Sequence, residues 1–167
     1  MSEIARPDIT AYRPCVGVML LNRDRLVWVG RRFEKQNDDG EGKWWQMPQG
    51  GIDKGEDPAK AAIRELAEET SVTSAEIITQ SPGWYNYDLP SHLIGKSWNG
   101  KYRGQTQKWF AMQFLGSDSE INLKPPGHKQ EFDEWRWVRM EDMLDLIIPF
   151  KRAVYVEVVA AFGHLTT

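Results

Sequence analysis

The chain has 167 residues, enough for one domain spanning 1–167 with a substantial buried core. Its 21 basic and 24 acidic residues leave a net charge of −3, which excludes a strongly basic coat but leaves room for a local basic patch. The lone cysteine, Cys15, excludes an intramolecular disulfide and suits a reducing compartment.

The opening MSEIARPDITAYRP carries no apolar core of a secretory signal, and residues 1–11 are polar enough to be flexible. Two strands are predicted at 15–21 and 25–32, joined by turn residues Asn22, Arg23 and Asp24. Residues 33–43 are charged and contain glycine, which predicts a surface loop. An aromatic cluster, WWQMPQGG, then runs into the Gly50–Gly51 pair. Asp57 and Pro58 open a helix as cap and first residue, and Ala59, Ala62, Ile63 and Leu66 give it an apolar stripe. A strand is predicted at 76–80, followed by a long excursion with little regular structure at 81–106. Further strands are predicted at 108–116 and 134–140, a short helix at EDMLDLI, and a C-terminal helix after Pro149. No apolar run reaches the roughly 18 residues needed to cross a bilayer. A cytoplasmic protein without a membrane partner is expected, and no protein partner is evident.

The chemistry concentrates in GGIDKGEDPAKAAIRELAEETSV, residues 50–72. On a helix Glu65, Glu68 and Glu69 fall at i, i+3 and i+4, where like charges repel by a few tenths of a kcal/mol per pair. A solvated acidic face would show the same spacing. A bound cation would remove the repulsion, and carboxylates alone, without His or Cys, suit magnesium or manganese rather than zinc.

Gly50, Glu56, Arg64, Glu65, Leu66, Glu68, Glu69 and Val72 stand as in the pattern G-x5-E-x7-R-E-U-x-E-E-x-G-U, where U is a bulky aliphatic. The segment therefore resembles the Nudix box. Ser71 departs from it, standing where the family has glycine, which puts the local backbone in question more than metal binding. Outside the box, YRPCVGVMLL, WVGRR, WQMPQGGID, GQTQKWF, EFDEWRWV and FKRAVY resemble the branch that holds bacterial RNA pyrophosphohydrolases and dinucleoside tetraphosphate hydrolases. Residues 33–43 and the stretch YDLPSHLIGKSWNGKYRG lean toward the dinucleoside hydrolases.

The resemblance implies an α+β fold, the Nudix α/β/α sandwich with a mixed β-sheet between helices. It implies a metal-dependent pyrophosphohydrolase in which water attacks phosphorus on 5′-triphosphorylated RNA, dinucleoside polyphosphates, or both. A nucleotide-binding module without catalysis is the alternative, but such proteins typically lose box glutamates. The resemblance assigns Glu65, Glu68 and Glu69 as catalytic and metal-binding residues, with Glu131 completing the shell around Mg2+ or Mn2+, two or more ions per site. Glu65 is favoured as general base. Gly50, Glu56 and Arg64 are expected to be structural. Arg13, Arg32, Lys108 and Lys151 are the phosphate-binding candidates. Phe150, beside Ile148, is the candidate for stacking on a base, ahead of Tyr85 and Tyr87. Trp44, Trp45, Trp109, Trp135 and Trp137 are expected to pack rather than bind.

Overall fold

The computed structural model describes residues 11–32, 44–91 and 102–166. The expected flexible N-terminus, the loop at 33–43 and most of the stretch that leans toward dinucleoside hydrolases lie outside those residues.

One mixed sheet organises the described chain. Its strands are β1 (Tyr12–Leu21), β2 (Val27–Arg32), β3 (Trp45–Gln46), β4 (Gln49–Gly51), β5 (Ala75–Gln80), β6 (Tyr85–Asp88), β7 (Gly104–Phe114) and β8 (Phe132–Val138). The helices are α1 (Pro58–Thr70) and α2 (Arg152–Phe162). β1 and β7 run parallel at the centre, with Tyr12 opposite Gly104 and Leu21 opposite Gln113. All other pairings are antiparallel: β2 and β4 on β1, β5 and β6 on β7, β3 and β8 on β2.

Period-two alternation along β1 sorts its side chains between two cores. Met19 and Leu21 join Trp109, Ala111 and the α2 residues Val154, Tyr155, Val158 and Phe162 on one face. Val16, Val18 and Leu20 join Phe110, Met112 and the α1 residues Ala61, Ala62 and Leu66 on the other. The molecule is thus a helix–sheet–helix sandwich, as the family resemblance implied. Among the described residues no helix is long and apolar enough to cross a membrane.

Two expectations need correction. The segment 81–106 is more regular than predicted, because Tyr85–Asp88 forms β6 and pairs with Gly104–Gln107. Its YNYD alternates, so the Tyr87 ring turns inward and is buried while its neighbours face out. The cluster WWQMPQGG supplies two short strands, β3 and β4. Ile63 leaves the apolar stripe of α1: it is 52% exposed, while Ala61 takes the buried place.

The helix ends explain Ser71. Asp57 caps the start, its side chain accepting from the Lys60 amide, with Pro58 as first helical residue. At the other end Ser71 adopts φ 68°, the left-handed region that favours glycine. A serine there carries a steric cost of about 1 kcal/mol. Its hydroxyl donates to the Asn122 carbonyl at 3.0 Å, and the Asn122 amide donates back to Thr70 at 2.9 Å. Ser71→Ala, which keeps the strain and loses the bond, should destabilise the fold by about 1 kcal/mol. Ser71→Gly should stay within roughly 0.5 kcal/mol of the parent, because relief of strain offsets the lost bond. Urea denaturation of both variants checks this; an alanine variant as stable as the parent contradicts it.

Candidate active site

β4 feeds a tight loop into α1, and Arg64 closes that loop. Its Nε and Nη2 donate to the two oxygens of Glu56 at 2.8 and 2.9 Å, a bidentate pair. Nη2 also donates to the Gly51 carbonyl at 2.9 Å. Nη1 reaches Glu65 and Glu68, both at 3.1 Å. Glu56 in turn accepts from the Asp53 amide at 2.9 Å. The Arg64 guanidinium, then that amide, hold the Glu56 carboxyl far below its ordinary range, at about 2.

Gly50 sits against the Glu65 carboxylate so closely that a Cβ would occupy its place. Gly51 lies in the same way under the Arg13 guanidinium. These two close approaches explain the glycine pair: β4 must be bare on both faces for an acid from α1 and a cation from β1 to cross it.

Glu69 is buried, and its Oε1 accepts the Gln49 backbone N–H at 3.2 Å. Burial pushes its carboxyl well above the ordinary range, and the nearby charges of Glu65 and Glu131 push the same way. Burial also raises Glu65, to about 7, against the pull of Arg64. Among the described residues no three acidic, His or Cys side chains converge into a ready-made metal cage. Instead Arg64 holds Glu65 and Glu68 while Glu69 bonds to β4. The donors are hard oxygens that carry more negative charge than one guanidinium neutralises, which fits a hard divalent cation.

Beside these acids the sheet presents a polar surface. Arg13 and Cys15 of β1 stand opposite Gln105 and Gln107 of β7, and Tyr87 of β6 stands opposite Gln105. Cys15 is fully buried, and burial pushes its thiol up to about 11, so it is no nucleophile. Lys151, just before α2, is buried with its Nζ donating to Gln46 Oε1 at 3.4 Å. Its ammonium lies 5.6 Å from the Tyr87 ring centre and 6.0 Å from that of Phe150. Burial, then the Arg32 charge, bring the Lys151 ammonium down to about 7. Phe150 is half-buried, 5.7 Å from Tyr87 and tilted by 44° to it, while Ile148 packs at the edge of the same core. Arg32 Nε is buried with no hydrogen-bond partner among the described residues.

Lys108 does not join this group. It occupies the opposite face of β7 from Gln105 and Gln107 and lines a groove of about 440 Å³ with Asp57, Pro58, Gln80 and Phe110. The expected grouping of four cations therefore reduces to Arg13, Arg32 and Lys151. Sequence reasoning also passed over Gln46, Gln49, Gln105 and Gln107. The available signal was period two in GQTQKW, which sets two amides on one strand face.

A NUDIX domain model matches residues 11–158. The chain belongs to the Nudix family. Family members generally use divalent metal ions. The chain is 58% identical over 163 residues to proteins named RNA pyrophosphohydrolase from Brucella ovis and Brucella anthropi. That match covers 95% of this chain and 92% or 94% of theirs. Among solved structures, the Nudix fold is similar to that of the E. coli dihydroneopterin triphosphate pyrophosphohydrolase. There the TM-score is 0.63 and the identity 19%, covering 90% of this chain and 99% of that one. A MutT protein from Methanosarcina mazei gives 0.62 at 19% identity, covering 88% and 92%.

The Glu56–Arg64 brace makes a pH prediction for this Nudix chain. The folded-state pKa of Glu56, about 2, lies below its ordinary 4.5, so its contribution to stability is complete above 4.5. It is lost as pH falls toward 2. Glu56→Gln should lower the urea midpoint at pH 7, and the gap to the parent should shrink as pH drops below 4.5. A gap unchanged at pH 3 would show that Glu56 is not held by a charge-assisted pair.

Proposed function

We propose that this Nudix chain is an RNA pyrophosphohydrolase, removing pyrophosphate from 5′-triphosphorylated RNA and leaving a 5′-monophosphate. The 58% identity to proteins of that name, across nearly the full length of both chains, supports the substrate class. The observation that carries the chemistry is the placement of the Glu65–Glu69 acids directly beside the cations and amide donors of the sheet. A polyphosphate needs both: donors along its oxygens and a divalent cation between it and the carboxylates.

Glu65, Glu68 and Glu69, with Glu131 near Glu69, would hold Mg2+ or Mn2+, two or more ions by family resemblance. When bound, such ions neutralise phosphate charge and activate water. The remaining roles fall to the chain itself. Arg64 and Glu56 brace the loop so that Gly50 stays flat against Glu65 and Gly51 under Arg13. By family resemblance Glu65 is the favoured proton acceptor for the attacking water, and its carboxylate stands against Gly50, where β4 meets the acids of α1. Arg13, Arg32 and Lys151 supply positive charge for the phosphate oxygens. Phe150, with Ile148 behind it and Tyr87 tilted against it, offers a half-buried ring on which a base can stack.

Glu69→Gln should abolish most turnover while leaving the fold intact, as read by circular dichroism. Phe150→Ala should raise KM more than it lowers kcat. The reading itself is tested by parallel turnover of a short 5′-triphosphorylated RNA and of diadenosine tetraphosphate with magnesium. Higher kcat/KM on the RNA, with pyrophosphate released, is the expected result. A clear preference for the dinucleotide would move the chain to the dinucleoside hydrolases, and no turnover of either would favour a binding module.

A further inference from the structure

The buried glutamines form a connected relay, and its direction follows from one residue. The Trp109 indole N–H can only donate, and it donates to Gln107 Oε1 at 2.9 Å. Gln107 must then turn its amide nitrogen the other way. That nitrogen donates to Gln105 Oε1 at 2.7 Å and to Gln49 Oε1 at 3.3 Å. With their oxygens occupied, Gln105 and Gln49 keep their own NH2 groups for a ligand. Neither nitrogen is among the side-chain atoms sealed inside the protein without a partner, a group that comprises Trp28 Nε1, Arg32 Nε and Trp44 Nε1 among the described residues. The relay is itself fixed in place: Trp109 is fully buried and meets Tyr155 edge-on at 5.7 Å. Its ring also fills the space over Gly17, where a Cβ would collide with it.

The surroundings identify what those NH2 groups would hold. Gln105 stands opposite Arg13 in the β1–β7 register. Gln49 bonds through its backbone to Glu69, at the acidic end of the site. Lys151 adds an ammonium from the α2 side, fixed by the Gln46 oxygen. Apart from the acids of α1, this surface offers donors and cations, a match for a group that only accepts hydrogen bonds and carries negative charge. We propose that Gln105 and Gln49 are binding residues for the polyphosphate oxygens, and that Trp109 and Gln107 are positioning residues that keep both amides facing with N–H outward. The proposal rests on the polyphosphate reading above and adds to it a specific donor pair and the device that orients it. Without the relay each amide could present its oxygen instead, and a carbonyl facing a phosphate repels it.

Calorimetric titration of the full-length protein with inorganic tripolyphosphate, at a fixed magnesium concentration, tests this without relying on turnover. Gln105→Leu should weaken binding about tenfold, the loss of one hydrogen bond to a charged group. Trp109→Phe removes the relay's first donor while keeping an aromatic ring in the core, and should weaken binding several-fold. The double variant should lose less than the product of the two single losses, because an amide no longer held with N–H outward has less to lose. Gln107→Leu is the substitute for Trp109→Phe if thermal melting shows that variant unfolded. Unchanged affinity in Gln105→Leu, losses that multiply in full, or a parent protein that does not bind tripolyphosphate would each overturn the proposal. Turnover of triphosphorylated RNA by the parent protein is scored separately. It can fail, sinking the RNA reading, while tripolyphosphate binding and its relay dependence still stand.

Discussion

Everything at the site depends on one guanidinium. Arg64 projects from the middle of α1 and is met from several directions: by both oxygens of Glu56, by the Gly51 carbonyl, and by Glu65 and Glu68. Through Glu56 and Gly51 it ties the loop to the helix, and through Glu65 and Glu68 it restrains the acids. An arginine suits this place because its planar fork serves a carboxylate bidentately and still has a donor left for a carbonyl; a lysine offers no such fork. The result is an acidic face that is internally braced yet not neutralised. Glu69 stands outside that brace, buried and bonded to the Gln49 backbone amide.

That arrangement carries a stability cost, offset by the two cores. A buried carboxylate beside Glu65 and Glu131, and a buried ammonium at Lys151, are both disfavoured in their charged forms. Stable folding therefore leans on the apolar contacts around them: Leu66, Ala61 and Ala62 of α1 against Val16 and Val18, and Val154, Tyr155 and Phe162 of α2 against Met19 and Trp109. The rigid parallel pair β1–β7 lies between these layers. It sets Arg13, Gln105 and Gln107 on one surface, while α1 brings its acids to β4 from the other side. Neither side would complete the site alone, and the bare backbone of Gly50 and Gly51 lets them meet.

Much of this was legible in the sequence, and the exceptions have physical causes. The box spacing put the glutamates together, and Asp57 with Pro58 marked the helix start, because caps and helical periodicity are local properties. The short strand β6 was missed, because four residues in a Gly-, Pro- and aromatic-rich stretch become a strand only when β7 lies alongside. Ile63 was placed in the core by periodicity, but the α1 stripe is rotated toward Ala61, and residue identity alone does not fix that rotation. Lys108 was grouped with the phosphate cations because its sequence block looked right. Strand alternation turns it to the opposite face of β7, away from Gln105 and Gln107. The glutamine relay was invisible for a different reason. Its order depends on which side chains on neighbouring strands come into hydrogen-bond reach, and that is a matter of register.

The most direct test of the account is the thermal stability of the Glu69→Gln variant beside the parent, each measured with and without magnesium. If Glu69 is a buried carboxylate kept for a cation, the neutral amide should raise Tm of the metal-free protein by a few degrees, at about 2–4 °C per kcal/mol for a chain of this size. Magnesium should then raise Tm of the parent and leave the variant nearly unmoved. A variant that melts below the metal-free parent and still gains the parent's full magnesium shift would contradict the claim that this acid is held in place to bind metal.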